Sequence, residues 1–216
     1  MIEAVLFDMD GLMFDTERMW AEAWGLAARG TGLENVQTVL PSMRGRNREG
    51  CRQVCLAAWG EDFDFDGFQA KARREMAALV EARGLPKKPG LDALLQELER
   101  RGLPAVVATS TRRATTEGYL AQAEVARYFR GVVGGNDVSR GKPDPEVFLK
   151  AAALAGADPA RCLVLEDSPN GVQAGAAAGC RVVMVPDLTA PDEALRALAA
   201  AVVPDLFAVI PLLDTL

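Results

Sequence analysis

The sequence predicts an α/β protein: a doubly wound parallel sheet into which a helical segment is inserted. Three observations carry this. Short apolar runs such as Ala4-Val5-Leu6-Phe7, Ala105-Val106-Val107-Ala108 and Cys162-Leu163-Val164-Leu165 have the unbroken hydrophobicity of strands buried on both faces. Segments with helical spacing separate the later runs, and such alternation builds a parallel sheet with helices on both sides. Residues 15–85 contain helical patterns and no comparable strand.

The elements follow in order. The first run enters Asp8-Met9-Asp10-Gly11. Strand side chains alternate, which sets Asp8 and Asp10 on one face. Gly11 permits a sharp turn. Trp20, Ala23, Trp24 and Ala27 recur at helical spacing, and Gly30 and Gly32 close that helix. Residues 33–60 mix short apolar pieces with a basic loop, Arg44-Gly45-Arg46-Asn47-Arg48. A second helix is expected from about Gly67 to Arg83, with Phe68, Ala72, Met76, Leu79 and Val80 on one face.

Beyond Pro89 the strand–helix alternation sets in. Leu91, Leu94, Leu95 and Leu98 mark a helix that stops at Gly102, and the strand after it ends in Thr109-Ser110-Thr111. A helix to about Ala126 and a short strand over Gly131–Gly134 follow. Asp144-Pro145 reads as an N-cap and first helical residue, opening a helix to Gly156. The strand from Cys162 ends in Glu166-Asp167, a small-residue helix passes through Gly171, Gly175 and Gly179, and Arg181–Val185 forms the next strand.

Bulk properties narrow the chemistry. The chain has 216 residues and a formal charge of −6, with an isoelectric point near 4.9. That balance argues against a general nucleic-acid or anionic-membrane binder. No apolar run approaches ~18 residues, so no membrane span is expected, and the N-terminus carries no signal-peptide pattern. The four cysteines, Cys51, Cys55, Cys162 and Cys180, form no CxxC pair. They are expected to be reduced, mostly buried thiols of a cytoplasmic protein. There is no histidine, which removes Ser-His-Asp and Cys-His nucleophiles and histidine-ligated zinc. No cysteine begins a CxxxxxR loop. Carboxylates, hydroxyls, lysine and arginine remain, best served by a hard cation.

Parallel sheets bind ligands beyond the carboxyl ends of their strands. Those ends carry Asp8 and Asp10, Thr109 and Ser110, and Glu166 and Asp167, with Lys142 on a loop between them. Such a set suits phosphate monoester chemistry. A Mg²⁺ ion held by Asp8 and Asp167, with Glu166 close by, relieves the repulsion between a carboxylate nucleophile and a phosphate. Lys142 can hold a phosphate oxygen and keep Asp8 ionised. Thr109 and the N–H groups after it, including Ser110, can donate to the other phosphate oxygens. Asp10 can protonate a leaving alcohol and then activate water.

Other motifs have plainer explanations. Phe63-Asp64-Phe65-Asp66-Gly67 repeats the letters of the first motif without a buried strand before it, and is expected to cap the helix from Gly67. It also imitates a calcium loop, but Arg73 stands where the bidentate glutamate belongs. Gly141-Lys142 precedes Pro143 rather than Ser or Thr, which excludes a P-loop. The Gly171-Gly175-Gly179 spacing is close helix–sheet packing.

The chain resembles the haloacid dehalogenase superfamily of phosphohydrolases. Four ordered motifs carry the resemblance: Asp8-Met9-Asp10-Gly11, Thr109 after an apolar strand, Gly141-Lys142-Pro143-Asp144-Pro145, and Leu165-Glu166-Asp167-Ser168-Pro169-Asn170-Gly171. The insertion is similar to the helical cap of the subgroup containing β-phosphoglucomutase and small sugar-phosphate phosphatases. The resemblance implies a Rossmann-like core over 1–14 and 86–216 and a cap over 15–85. It implies that Asp8 is the nucleophile, through an aspartyl-phosphate, and Asp10 the acid/base. Mg²⁺ would be bound by Asp8, the Asp10 carbonyl and Asp167, with Glu166 nearby. Thr109 and Lys142 would bind the transferring phosphoryl group. In related caps the basic loop helps grip substrate, which makes Arg48 a candidate, and Trp20 and Trp24 are further cap candidates despite their core-like spacing. In the mutase a histidine stands at the position that looks equivalent to Trp20. That departure speaks against mutase activity, and a closed cap excludes bulky polymers, so the expected substrate is a small phosphorylated metabolite, a sugar phosphate, cleaved by a phosphatase expected to be monomeric. β-Phosphoglucomutase-type transfer, or a non-catalytic binding protein on the same scaffold, are the alternatives.

Overall fold

The computed structural model describes residues 1–43 and 48–216, so Arg44 and Arg46 of the basic loop lie outside the described residues. Two compact units emerge, one of residues 1–15 and 85–216, the other of 16–84.

The larger unit begins with β1 (Ala4–Phe7), all four residues fully buried. The second unit holds α1 (Thr16–Ala28), α2 (Val36–Val39), α3 (Arg48–Trp59) and α4 (Phe65–Arg83). The chain then resumes the larger unit with α5 (Leu91–Arg101), β2 (Ala105–Ala108), α6 (Arg113–Gln122), β3 (Phe129–Val133), α7 (Glu146–Ala155), β4 (Cys162–Glu166), α8 (Pro169–Ala177), β5 (Arg181–Met184), α9 (Glu193–Leu198) and β6 (Ala201–Val202). The sheet order among the described residues is β3-β2-β1-β4-β5-β6, and every pairing is parallel. β1 lies between β2 and β4, in register Phe7 with Val107 and Phe7 with Leu165. This central place explains its unbroken apolar run, since each fully buried Val, Leu or Phe contributes about 1.5–3 kcal/mol. It also brings the ends of β1, β2 and β4 side by side.

One face of the sheet packs on α7 and α8 through Leu6, Val106, Val164, Phe148 and Val172. Gly175 lets α8 approach the strands: a Cβ there would lie 2.8 Å from Val182 Cγ2 and 3.1 Å from Val164 Cγ1. The two crossings between the units are paired within the larger one. Asp15 N donates to Pro86 O at 2.9 Å and Lys88 N to Met13 O at 2.9 Å.

The helical unit has its own core, built from Trp24, Ala27, Val36, Met43, Cys55, Phe65, Phe68 and Ala72. The residues from Arg48 to Trp59, expected as short apolar pieces, form the regular helix α3. Its spacing is obscured because Cys55 alone is fully buried on it. Further differences are local. α4 starts at Phe65 rather than Gly67, with Asp64 as its N-cap accepting from Gly67 N at 2.9 Å. α6 ends at Gln122, followed by a short 3₁₀ turn over Ala126–Tyr128. β3 starts at Phe129, whose ring meets Phe7 edge-on at 5.5 Å, a tertiary contact that propensity does not encode. α7 starts at Glu146, one residue later than Asp144-Pro145 suggests; the Asp144 carboxylate accepts from Glu146 N at 3.0 Å. No disulfide joins Cys51, Cys55, Cys162 and Cys180. Among the described residues, no helix is long and apolar enough to cross a membrane.

Candidate active site

The site lies at the carboxyl ends of β1, β2 and β4. Beyond Phe7 the backbone stays in register, with Asp8 N donating to Leu165 O at 3.0 Å, and then turns back tightly: Gly11 N donates to Phe14 O at 2.9 Å and Met13 N to Met9 O at 2.9 Å. Gly11 has φ +85°, and a Cβ on it would lie 2.3 Å from Asp167 Oδ2. Glycine is required there for its backbone and for the space it yields.

Asp8, Glu166 and Asp167 are all buried, and one carboxylate oxygen of each falls within 4.8 Å of the others. Hard carboxylate oxygens converging in this way suit a hard divalent cation. Uncompensated buried carboxylates are costly, and the answer from within the chain is Lys142. Its ammonium donates to Asp8 Oδ1 at 2.5 Å, to Glu166 Oε1 at 2.6 Å and to Ala108 O at 3.0 Å. It also lies 4.9 Å from the centre of the Phe148 ring.

Lys142 does not offset the burial of Asp8. Burial pushes Asp8 up to about 8, with Glu166 and Asp10 adding to the rise and Lys142 opposing it. Lys142 thus favours the ionised form of Asp8, as expected, while burial opposes it. Burial works against the Lys142 charge as well, but Asp8 and Glu166 outweigh it and hold the ammonium above its usual range. A second positive charge at the carboxylates would bring Asp8 back to the ionised form.

Glu166 is fully buried, and both of its oxygens accept hydrogen bonds. Besides Lys142 on Oε1, its Oε2 accepts from Asp167 N at 3.0 Å, Ser168 N at 3.1 Å and Ser168 Oγ at 3.0 Å. Ser168 is the N-cap of α8, its Oγ accepting from Gly171 N at 3.1 Å. A Cβ at Gly171 would lie 1.8 Å from Glu166 Cδ, so the first turn of α8 closes directly over this carboxylate.

Asp10 turns toward the hydroxyls at the end of β2. Thr111 Oγ1 donates to Asp10 Oδ2 at 2.7 Å, and Thr109 Oγ1 lies 3.4 Å from the same oxygen. Thr109 is buried, and its Oγ1 also accepts from Thr111 N at 3.0 Å. Ser110 is exposed. The structure thus brings together Asp8, Asp10, Thr109, Lys142, Glu166 and Asp167. A lysine has three N–H groups, and those of Lys142 all have protein acceptors, so a phosphoryl oxygen would have to displace one.

The helical unit's candidates have structural roles of their own. Trp24 is buried in an aromatic cluster, 5.1 Å from Phe68 and 6.4 Å from Trp59 by ring centres. Its helical spacing signals this core position, and it presents no open face. Trp20 is half-buried against the same cluster. Arg48 forms an exposed ion pair with Asp66 at 2.5 Å.

Sequence reasoning missed Thr111, Ser168 and the steric demand at Gly171. For Thr111 a signal was present: Thr109 and Thr111 stand two apart at a strand end, as Asp8 and Asp10 do.

Comparison with known proteins agrees with this geometry. The haloacid dehalogenase-like hydrolase family matches residues 2–179. Hexitol phosphatase A of Escherichia coli is 33% identical over 186 residues, covering 83% of this chain and 81% of that protein. A bifunctional riboflavin kinase/FMN phosphatase of Arabidopsis thaliana is 41% identical over 118 residues, and the match spans only 31% of that longer protein. Among solved structures, an HAD family hydrolase of Deinococcus radiodurans with bound phosphate and sodium superposes with a TM-score of 0.78 at 27% identity, covering 99% of this chain and 96% of that one. The chain belongs to the haloacid dehalogenase-like hydrolases.

Proposed function

We propose that this protein is a Mg²⁺-dependent phosphatase that hydrolyses a small phosphorylated metabolite, with a sugar or sugar-alcohol phosphate as the leading substrate class. The observation that carries the proposal is the cluster of buried Asp8, Glu166 and Asp167 tethered by Lys142 at the ends of adjacent parallel strands. The phosphatases among its relatives support the substrate class.

Asp8 and Asp167 are the direct carboxylate ligands in this proposal, with the Asp10 carbonyl alongside. Glu166, whose oxygens are taken by Lys142 and the α8 cap, orients Lys142 and the Asp167 backbone. The bound cation supplies charge neutralisation between Asp8 and the phosphate dianion.

An Asp8 carboxylate oxygen attacks phosphorus, and the bond from phosphorus to the ester oxygen breaks. Asp10 gives its proton to the departing alkoxide. An aspartyl-phosphate is left on Asp8. Asp10, now a carboxylate, takes a proton from water as that water attacks phosphorus, and inorganic phosphate departs with Asp8 regenerated. Thr109 and Ser110 line the phosphate side at the end of β2, and Lys142 holds Asp8 in place for the attack.

The test is phosphate release with Mg²⁺ across sugar, hexitol and nucleoside 5′-phosphates and FMN. Metal-dependent release that EDTA abolishes and Mg²⁺ restores supports the proposal. Absence of release from every ester, or isomerised sugar phosphate without release, overturns it.

A further inference from the structure

Thr111 belongs to no motif that identifies the family chemistry in this chain, yet each of its polar groups is committed. Its N–H donates to Thr109 Oγ1 at 3.0 Å. Its carbonyl accepts from Gly135 N at 2.8 Å. Its hydroxyl donates to Asp10 Oδ2 at 2.7 Å. The segment is also braced from behind. A Cβ at Gly135 would lie 2.1 Å from Ser110 O, and one at Gly134 would lie 2.4 Å from Arg113 N. Arg113 N in turn donates to Asn136 Oδ1 at 2.8 Å. The glycine pair after β3 therefore presses against the turn that carries Thr111, and the hydroxyl has a fixed place.

We propose that Thr111 is a positioning residue for Asp10: its hydroxyl, 2.7 Å from Oδ2, fixes the carboxyl rotamer for proton transfer. This rests on the phosphatase function proposed above. When the ester bond breaks, the proton of the acid form passes from Asp10 to the alkoxide. In the second half-reaction the Asp10 carboxylate takes a proton from water. No other group is needed to balance either step. A carboxyl group held within hydrogen-bond reach in one orientation transfers a proton more effectively than one that samples several.

The test exploits the leaving group. kcat/KM ends with the first ester cleavage, so it reports proton donation to the alcohol and not the later attack by water. An alkoxide needs that proton, whereas p-nitrophenolate leaves without it. Thr111→Val keeps the β-branched shape and removes the hydroxyl. With the best alkyl phosphate of the panel, its kcat/KM should fall on the order of tenfold or more, part of the ~10²–10⁴-fold that general acid catalysis supplies. With p-nitrophenyl phosphate its kcat/KM should stay nearly unchanged, which also shows that the variant folds and binds metal. Thr111→Ser should restore the alkyl rate. Equal losses on both esters, no loss on either, or failure of the serine variant to restore the rate overturns the proposal. A wild-type protein that releases phosphate from neither ester refutes the phosphatase function itself, a result distinct from all of these.

Discussion

The chain writes Phe-Asp-x-Asp-Gly twice, at Phe7–Gly11 and at Phe63–Gly67, and the two copies become different objects. In both, the glycine makes room for a carboxylate. A Cβ at Gly11 would lie 2.3 Å from Asp167 Oδ2, and one at Gly67 would lie 2.1 Å from Asp64 Oδ2. The carboxylate received by Gly11 comes from a strand far along the chain. The one received by Gly67 comes from its own motif, three residues back, and serves only as a helix N-cap. The first copy sits at the end of a central buried strand and meets Lys142, Glu166 and Asp167. The second opens a helix, and its Asp66 pairs with Arg48 and Arg52 at an exposed surface. Identical letters yield a candidate active site only where topology adds partners from elsewhere.

Replacing the leading aspartates should break the equivalence most sharply. Asp8→Asn should lower phosphate release by on the order of 10⁴-fold or more, since it removes the nucleophile. Asp64→Asn should leave turnover at the wild-type level. Parallel assays on the same ester decide it, and residual Asp8→Asn activity near wild type would remove Asp8 from the nucleophile role.

The glycines give the next largest difference. Gly11→Ala forces a side chain into φ +85° and against Asp167. Loss of Asp167's placement should cost about 10–100-fold in Mg²⁺ affinity, the size of effect seen when groups that orient metal ligands are removed. Gly67 has ordinary helical φ, and the exposed Asp64 carboxylate can swing aside. Gly67→Ala should trade part of a cap, about 1 kcal/mol, for helix propensity of about 1 kcal/mol. The net change in stability should be close to zero. Mg²⁺ titration of one variant and thermal melting of both would check the pair.

Burial separates the motifs in their response to pH. Asp8 is raised to about 8 from an ordinary 3.8. Between those values the folded protein without metal binds more protons than the unfolded chain, so this group makes stability fall as pH rises through that window. A cation at the carboxylates displaces the proton, and its affinity rises with pH over the same range. Mg²⁺ at a hundredfold excess over its dissociation constant should raise the melting temperature by roughly 5–10 °C. At one fixed Mg²⁺ concentration, the gain should be larger at pH 8 than at pH 5. An equal gain at both would show that Asp8 is not the titrating ligand.

Much of this was legible in the sequence because the core elements are locally unambiguous. The apolar runs before Asp8, Thr109 and Glu166 are short, unbroken and bounded by turn residues, and parallel topology brings their ends together. What was not legible depends on contacts between distant residues. Glu166 reads as one more carboxylate until Gly171 and Ser168 are seen closing over it. The motif around Lys142 does not show that its ammonium also reaches Asp8, Glu166 and the Ala108 carbonyl. α3 was obscured because a helix that buries so little carries only a faint apolar stripe.

The smallest expected effect tests the second motif alone. Asp64 accepts from Gly67 N at the first turn of a 19-residue helix whose buried face includes Phe65, Phe68, Ala72 and Met76. Asp64→Ala removes that acceptor and should destabilise the protein by about 1 kcal/mol, the usual worth of an N-cap. Asp66→Ala instead removes an exposed pair with Arg48 whose partners are 64% and 55% accessible, and surface pairs of this kind contribute about 0–1 kcal/mol. It also removes an acidic residue from the first turn, where the helix dipole favours negative charge by about 0.3–1 kcal/mol at low salt. The two variants should therefore respond differently to ionic strength. The Asp66→Ala deficit should shrink in high salt because charge interactions at an exposed site are screened. The Asp64→Ala deficit should largely persist, because a short-range hydrogen bond to Gly67 N is lost. Urea melts of both variants at low and high salt measure this. A salt-insensitive Asp66 deficit would mean that Asp66 holds the fold by packing rather than by charge.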